Sequence, residues 1–190
     1  MKIGLDLDGV VVNSLPQVIK VLDSCFAQKF APGDHFDLSR YYGAPRDEIS
    51  LVISERAEEM FGAAEMTEGA AAGIAALEKN GHEIIYVTAR KAGREEEVTR
   101  AWLARRGLGH SPLFCVSGGS KADVVLAESI EVFVDDFLRN AEQISAVGVP
   151  VLLLDAFYNQ AEEVPPGVTR CNGWEDIQRA VAALAARKPL

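Results

Sequence analysis

Two carboxylates, Asp6 and Asp8, stand two residues apart at the end of the first apolar run, Ile3-Gly4-Leu5-Asp6-Leu7-Asp8-Gly9. An ionised carboxylate is costly to desolvate unless positive charge or hydrogen bonds offset the cost. The spacing therefore calls for a cation nearby. The ends of later apolar runs carry groups of related chemistry: Thr88-Ala89-Arg90, then Ser117-Gly118-Gly119-Ser120-Lys121, then Asp135-Asp136. Hard oxygen donors in a chain with only 3 histidines suit Mg²⁺ better than zinc or copper. Asp6, Asp8, Asp135 and Asp136 are the candidate metal residues. An ion held there would bind a phosphate oxygen and act as a Lewis acid. A carboxylate can also serve as a nucleophile and carry a phosphoryl group. Asp8, two residues on in an extended chain, faces the same side as Asp6. It can protonate a leaving oxygen and later activate water.

Each group also has a plainer role. The Asp6–Asp8 pair could only bind a metal or form structural ion pairs, and Asp135-Asp136 could cap the helix that begins near Leu138. Thr88 alone reads as a cap and Lys121 alone as a solvated lysine. Ser120 with Asp123 reads as a capping box, which puts Lys121 in the first turn of a helix, where backbone N–H groups favour an anion. The GxxxxGK[ST] spacing of a nucleotide-binding loop is absent, so ATP binding is not indicated.

These residues need a scaffold. Ile3 to Leu7, Glu83 to Val87, Leu113 to Val116, Glu131 to Val134 and Val149 to Leu154 are strand-length runs, mostly apolar on successive residues. Strands covered on both faces read this way. Helical patterns separate them: about Glu68 to Asn80, Arg94 to Arg105, from Ser120 to Ala127, Leu138 to Ser145, and Trp174 to Ala186. The alternation predicts an α/β fold, a Rossmann-like parallel sheet of about five strands with helices on both faces. In such a sheet, ligands sit beyond the carboxyl ends of the strands at a switch point.

One interval breaks the rhythm. Leu15, Val18, Ile19, Leu22 and Phe26 share one helical face, and Ile49, Val52, Ile53, Ala57 and Met60 share another. Ala31-Pro32-Gly33-Asp34 and Tyr42-Gly43-Ala44-Pro45 punctuate them. The expected division is a core of residues 1–13 and 67–190, with a small helical cap, 14–66, inserted after the first strand. Phe36, Arg40, Tyr41 and Tyr42 cluster in the middle of the cap, where their rings could stack on a base or pack its helices together.

The chain has 190 residues, 48% hydrophobic, with formal net charge −9. That composition fits a folded domain. No cluster of Lys and Arg marks a nucleic-acid polymer or an anionic membrane as partner. No apolar run approaches the roughly 18 residues of a membrane span, and no signal peptide stands at the N-terminus. A cytoplasmic location is expected. Three widely spaced cysteines, Cys25, Cys115 and Cys171, form neither a disulfide framework nor a zinc motif. Cys115 reads as a small buried hydrophobe. Oligomeric state is not legible.

The ordered set Asp6-Leu7-Asp8-Gly9-Val10, Thr88, Lys121 and Asp135-Asp136 resembles the four motifs of the haloacid dehalogenase (HAD) superfamily of phosphotransferases. The resemblance implies Asp6 as nucleophile and Asp8 as general acid/base. It also implies Thr88, Ala89 and Lys121 as phosphate-binding positions. Mg²⁺ would be held by Asp6, the backbone carbonyl of Asp8, and the acidic pair, Asp136 favoured over Asp135. An insertion straight after the first motif is similar to the superfamily's helical caps of the first type. Within the superfamily the chain resembles the 5'(3')-deoxyribonucleotidase group, through Tyr86-Val87-Thr88-Ala89-Arg90, Trp102-Leu103 and Asp155-Ala156-Phe157-Tyr158-Asn159. Ala89 departs from the hydroxyl that such nucleotidases often carry there, and Arg90 is the compensating substrate contact. The implied activity is Mg²⁺-dependent hydrolysis of (deoxy)nucleoside monophosphates through an aspartyl-phosphate. The open alternatives are a phosphatase for a sugar phosphate or other small phosphate ester, and a non-catalytic phosphoryl-binding protein.

Overall fold

The computed structural model describes residues 1–31, 37–160 and 163–187. Among these, six strands form one parallel sheet: β1 (Lys2–Leu5), β4 (Glu83–Thr88), β5 (Leu113–Cys115), β6 (Val132–Asp135), β7 (Val151–Leu154) and β8 (Val168–Cys171). Their spatial order is β5-β4-β1-β6-β7-β8. β1 thus lies between β4 and β6, at the point where the winding reverses. Two further strands, β2 (Val12–Asn13) and β3 (Glu65–Met66), form a separate antiparallel ribbon, with Val12 opposite Met66.

The runs are apolar on successive residues because the sheet has a core on each face. Ile3, Leu5, Tyr86, Val132, Val134 and Leu152 pack on one face with α4 (Ala70–Lys79), α5 (Arg94–Arg105) and α8 (Trp174–Ala186). Ile85, Val87, Phe133, Val151 and Leu153 pack on the other with α6 (Lys121–Ala127) and α7 (Leu138–Ala146). Alternate residues of one strand therefore serve opposite cores. Gly4 lies where the Phe133 ring crosses β1; a Cβ there would meet Phe133 Cδ2 at 2.3 Å.

The expected parallel sheet and its helices are present, with six strands rather than about five. The additional strand, β8, is an edge strand whose Thr169 is exposed and Arg170 half-buried. Its short polar pattern lacks the continuous apolar signature of the central strands.

A helical segment lies between β2 and β3: α1 (Leu15–Cys25), α2 (Leu38–Tyr42), α3 (Arg46–Glu55) and a π-helical turn (Glu58–Gly62). Its own core joins Val18, Leu22, Tyr41, Tyr42, Ile49, Met60 and Phe61 with Val98 of α5. Pro16 sits in the first turn of α1, where its missing N–H has no intrahelical partner to lose. Asp37 caps α2 by accepting from Ser39 N, and Gly43 ends it in the left-handed region, φ +60°. Pro32, Gly33, Asp34 and Phe36, named above, lie outside the described residues. No helix among the described residues is long and apolar enough to cross a membrane.

Candidate active site

The chain leaves β1 as an extended strand, with Asp6 N donating to Val134 O at 2.9 Å. It then turns sharply. The carbonyl of Leu7 accepts from the N–H groups of Val10, Val11 and Val12. Gly9 adopts φ +83°, and a Cβ on it would sit 1.8 Å from Asp136 Oδ2. Both the turn and the close approach require glycine.

This geometry gathers three buried carboxylates around one ammonium. Lys121 Nζ lies 2.8 Å from Asp6 Oδ2 and 2.8 Å from Asp135 Oδ2. Ser120 caps α6 by accepting from Ala122 N, and so sets Lys121 as the first helical residue. Asp135 also accepts from Phe137 N at 2.9 Å and from Asn140 Nδ2 at 3.2 Å. Asp136 accepts from the Tyr158 hydroxyl. Carboxylate oxygens of Asp6, Asp135 and Asp136 all lie within 4.8 Å of one another.

Three carboxylates against one lysine leave an excess of negative charge in a buried space. Burial pushes Asp6 up to about 7; Lys121 pulls it down, and Asp135 and Asp8 push it up. Asp136 is raised for the same reasons, burial first and then Asp6 and Asp135. Burial would lower Lys121, but Asp135 and Asp6 outweigh it, so the ammonium stays charged. A small dication with a preference for oxygen fits this donor set and would relieve the repulsion.

Asp8 is held differently. Arg90 Nε donates to Asp8 Oδ2 at 2.9 Å and Arg90 Nη2 to Oδ1 at 2.7 Å, a bidentate pair. Burial would raise the Asp8 carboxyl, but Arg90 outweighs it with help from Ser14, and the group lies below its ordinary range. Arg90 is only 4% exposed.

A cavity of about 570 Å³ opens over these groups. Asp6, Asp8, Ala89, Arg90, Lys121, Asp136 and Asn140 line its polar end. Leu15, Val18, Leu38, Ile53 and Phe61 line the side formed by the helical segment, and Phe137 and Phe157 are partly exposed within it. Thr88 is fully buried beside this lining, its hydroxyl accepting from Arg90 N at 3.3 Å.

One expectation needs correction. Tyr41 and Tyr42 do not line the cavity. Their rings pack on Phe30 and Phe26, at centroid distances of 4.6 and 5.5 Å, and the Tyr42 hydroxyl donates to Asp23. They are core of the helical segment, and Arg40 beside them is exposed. Helical periodicity alone does not say which neighbour a ring will meet. Arg90 lines the cavity, with its guanidinium edge engaged by Asp8. Phe36 lies outside the described residues.

Sequence reasoning missed Asn140 and Phe61, which no local pattern marks. It also had no physical account of Tyr158-Asn159. Asn159 Nδ2 donates to the carbonyls of Asp136 and Leu154, at 2.7 and 2.9 Å, and Arg170 of β8 donates to the Asn159 side chain and carbonyl. The loop after β7 is thereby pinned so that Tyr158 reaches Asp136. None of the three cysteines is paired with another; burial pushes Cys115 up to about 11, as suits an inert thiol.

The fold is similar to that of solved structures named as haloacid dehalogenase-like hydrolases. A HAD family hydrolase from Deinococcus radiodurans, solved with bound phosphate and sodium, aligns with TM-score 0.63 at 18% identity over 100% of this chain and 98% of its own. A haloacid dehalogenase-like hydrolase from Streptococcus pneumoniae aligns with TM-score 0.65 at 13% identity, over 95% and 97%. In sequence, the chain is similar to proteins that carry the name "putative nucleotidase". One, from Halalkalibacterium halodurans, is 27% identical over 93% of this chain and 90% of its own length. Another, from Bacillus subtilis, is 24% identical over 92% and 90%. No family model matches the chain.

Proposed function

We propose that the chain is a Mg²⁺-dependent phosphomonoesterase that hydrolyses (deoxy)nucleoside monophosphates through an aspartyl-phosphate on Asp6. The observation that carries this reading is the buried set of Asp6, Asp135 and Asp136 around Lys121, beside the Arg90-held Asp8, at the switch point of a parallel sheet.

In this reading Asp6, Asp136 and the Asp8 carbonyl would hold the ion, with Asp135 fixing Lys121. The bound ion would screen phosphate charge and polarise a phosphate oxygen. Asp6 attacks phosphorus, and the ester P–O bond breaks. The leaving oxygen takes the bonding pair and a proton from Asp8, which Arg90 holds ionised in the free site and which takes that proton up from solvent as the phosphate dianion binds beside it. Asp8, now a carboxylate, removes a proton from water, whose oxygen attacks phosphorus and releases phosphate from Asp6. Lys121, with Ala89 and Thr88 beside it, forms the phosphate-binding positions. Residues 14–66 act as a cap that shields this chemistry from bulk water.

The cavity supports a nucleotide. Its wall beyond the carboxylates is mostly apolar, with Asn13, Ser14, Ser50, Lys91 and Glu95 among its polar members, which suits a base carrying a few hydrogen-bonding groups. The names of the sequence relatives point the same way. The test is phosphate release with Mg²⁺ from deoxynucleotides, ribonucleotides and sugar phosphates. Preference for nucleoside monophosphates is expected, with a loss of about 10³-fold or more in Asp6→Asn. Activity on sugar phosphates alone would discard the substrate. Release that survives Asp6→Asn would discard the mechanism.

A further inference from the structure

Arg90 invites a simple reading as a phosphate ligand: it is cationic, close to the carboxylates and in the cavity wall. Its contacts argue otherwise. A guanidinium offers five N–H donors in a rigid fork. Nε and Nη2 donate to the two oxygens of Asp8, at 2.9 and 2.7 Å. Nη1 donates to Thr99 Oγ1 of α5 at 2.8 Å, and the Thr99 hydroxyl in turn donates a hydrogen bond to Glu95 O at 2.6 Å. The Phe61 ring lies against the guanidinium, 3.8 Å from Cζ to its centroid. One edge, one tip and one face are thus engaged by three different parts of the chain.

Asp8 needs such a holder. It follows β1 in a turn, beside Gly9, with its side chain 35% exposed. A short carboxylate in that position has alternative rotamers toward solvent. A fork-to-fork pair fixes both its direction and its plane, which a point charge would not.

Phe61 belongs to the π-helical turn Glu58–Gly62, whose seat is itself fixed. Gly62 O accepts from Arg105 Nη2 at 3.1 Å. Ala64 O accepts from Trp102 Nε1 at 2.8 Å and from Arg106 Nη2 at 2.9 Å. All three donors, with Thr99, lie on α5 or directly after it. The helix that holds Arg90 from one side also seats the turn that covers its face.

We propose that Arg90 is a positioning residue for the acid/base Asp8, and that Phe61 seats it, so that Asp8 is aligned only while the helical segment is docked on α5. The proposal rests on the phosphomonoesterase reading. Arg90 acts on the proton given to the leaving oxygen and not on the attack by Asp6. Its removal therefore penalises esters in proportion to how much their leaving group needs that proton.

The experiment compares kcat/KM for a nucleoside monophosphate, a poor alkoxide leaving group, with that for p-nitrophenyl phosphate, a good one. The ratio kcat/KM reports steps through departure of the leaving group. Arg90→Ala is expected to lose about 10²-fold on the nucleotide and only a few-fold on the aryl ester. Added guanidinium should restore part of the first loss. Arg90→Lys, which keeps the charge without the fork, should remain at least about ten-fold down on the nucleotide. Phe61→Leu should show the same leaving-group bias more weakly. Equal losses on both esters overturn the positioning role and leave the phosphomonoesterase standing. Wild-type release that Asp6→Asn does not abolish overturns the function itself. A crystal structure of Arg90→Lys supplies a readout without turnover: displacement of the Asp8 carboxylate is expected, and an unmoved Asp8 overturns the proposal.

Discussion

Asp6 links the site to the stability of the protein through its protons. Burial first, and then the nearby carboxylates against the pull of Lys121, place it at about 7, above its unfolded value of 3.8. The metal-free folded state therefore binds a proton more tightly than the unfolded chain does. Stability from this group is complete below pH 4 and is lost as pH rises through about 7. Mg²⁺ needs the ionised carboxylate, so its binding competes with that proton. We expect Mg²⁺ to raise Tm more at pH 8.5 than at pH 5.5, and Asp136→Asn to abolish most of the difference. Differential scanning calorimetry at the two pH values, with and without Mg²⁺, checks this. An equal Mg²⁺ effect at both would mean that the titrating group is not a ligand. The carboxylates themselves were legible in the sequence because charged residues at the ends of apolar runs are costly and therefore conspicuous. Arg90 was legible as a residue of the cavity wall, but its contact with Asp8 was not. Its pairing with Asp8 spans 82 positions and leaves no local trace.

Helix α4 carries a glycine where helix propensity would favour alanine. Gly73 faces Trp174 of α8, and a Cβ there would meet Trp174 Cε3 at 2.2 Å. That ring has little room to retreat, because its Nε1 donates to Val10 O at 3.1 Å. Gly73→Ala gains up to about 1 kcal/mol of helix propensity but overpacks the contact, at a cost of about 1–3 kcal/mol. A net loss of stability is expected in urea unfolding. A gain would show that Trp174 can move. The helices α5 and α8 were readable to within a residue or so from their apolar spacing and their Arg and Trp boundaries. The π-helical turn was not, since the apolar spacing of Ala57 and Met60 fits a continued α-helix equally well. The closing loop after β7 was visible as a string of residues, but its purpose depends on Arg170 in an edge strand that carries no strong apolar pattern.

At the scale of the molecule, the sheet and the helical segment have separate apolar cores. Tyr41 belongs to the second, and its substitution should act there alone. Tyr41→Ala is expected to cost about 3 kcal/mol or more in the segment's packing. Hydrogen exchange should speed up across residues 15–25 and 46–55, while β1 and β6 keep their protection. The KM for the nucleotide should stay within about two-fold, since the ring does not line the cavity. A selective rise in nucleotide KM would return Tyr41 to substrate contact, whereas a loss confined to kcat would be the loosening of Phe61, which shares its core. The helical segment was legible because two stripes of helical spacing sit in an interval with no long apolar run. Which rings faced the cavity was not, because it depends on how α1, α2 and α3 fold against one another.

The short ribbon of β2 and β3 has a consequence for how such a chain can change. Val12 opposite Met66 and Asn13 opposite Glu65 bring the entry and exit of the helical segment side by side. Antiparallel partners lie only about 5 Å apart, a gap that a tight hairpin turn closes. Everything between them is thus a cassette on one hinge of backbone pairing, exchangeable for a longer, shorter or unrelated insert without moving a strand of the sheet. Its replacement would leave Asp6, Asp135 and Asp136 on the sheet, and a new insert would have to supply again the ring that Phe61 lays against Arg90. A lineage could thus keep one chemistry and sample many substrates by rewriting a single interval of its sequence.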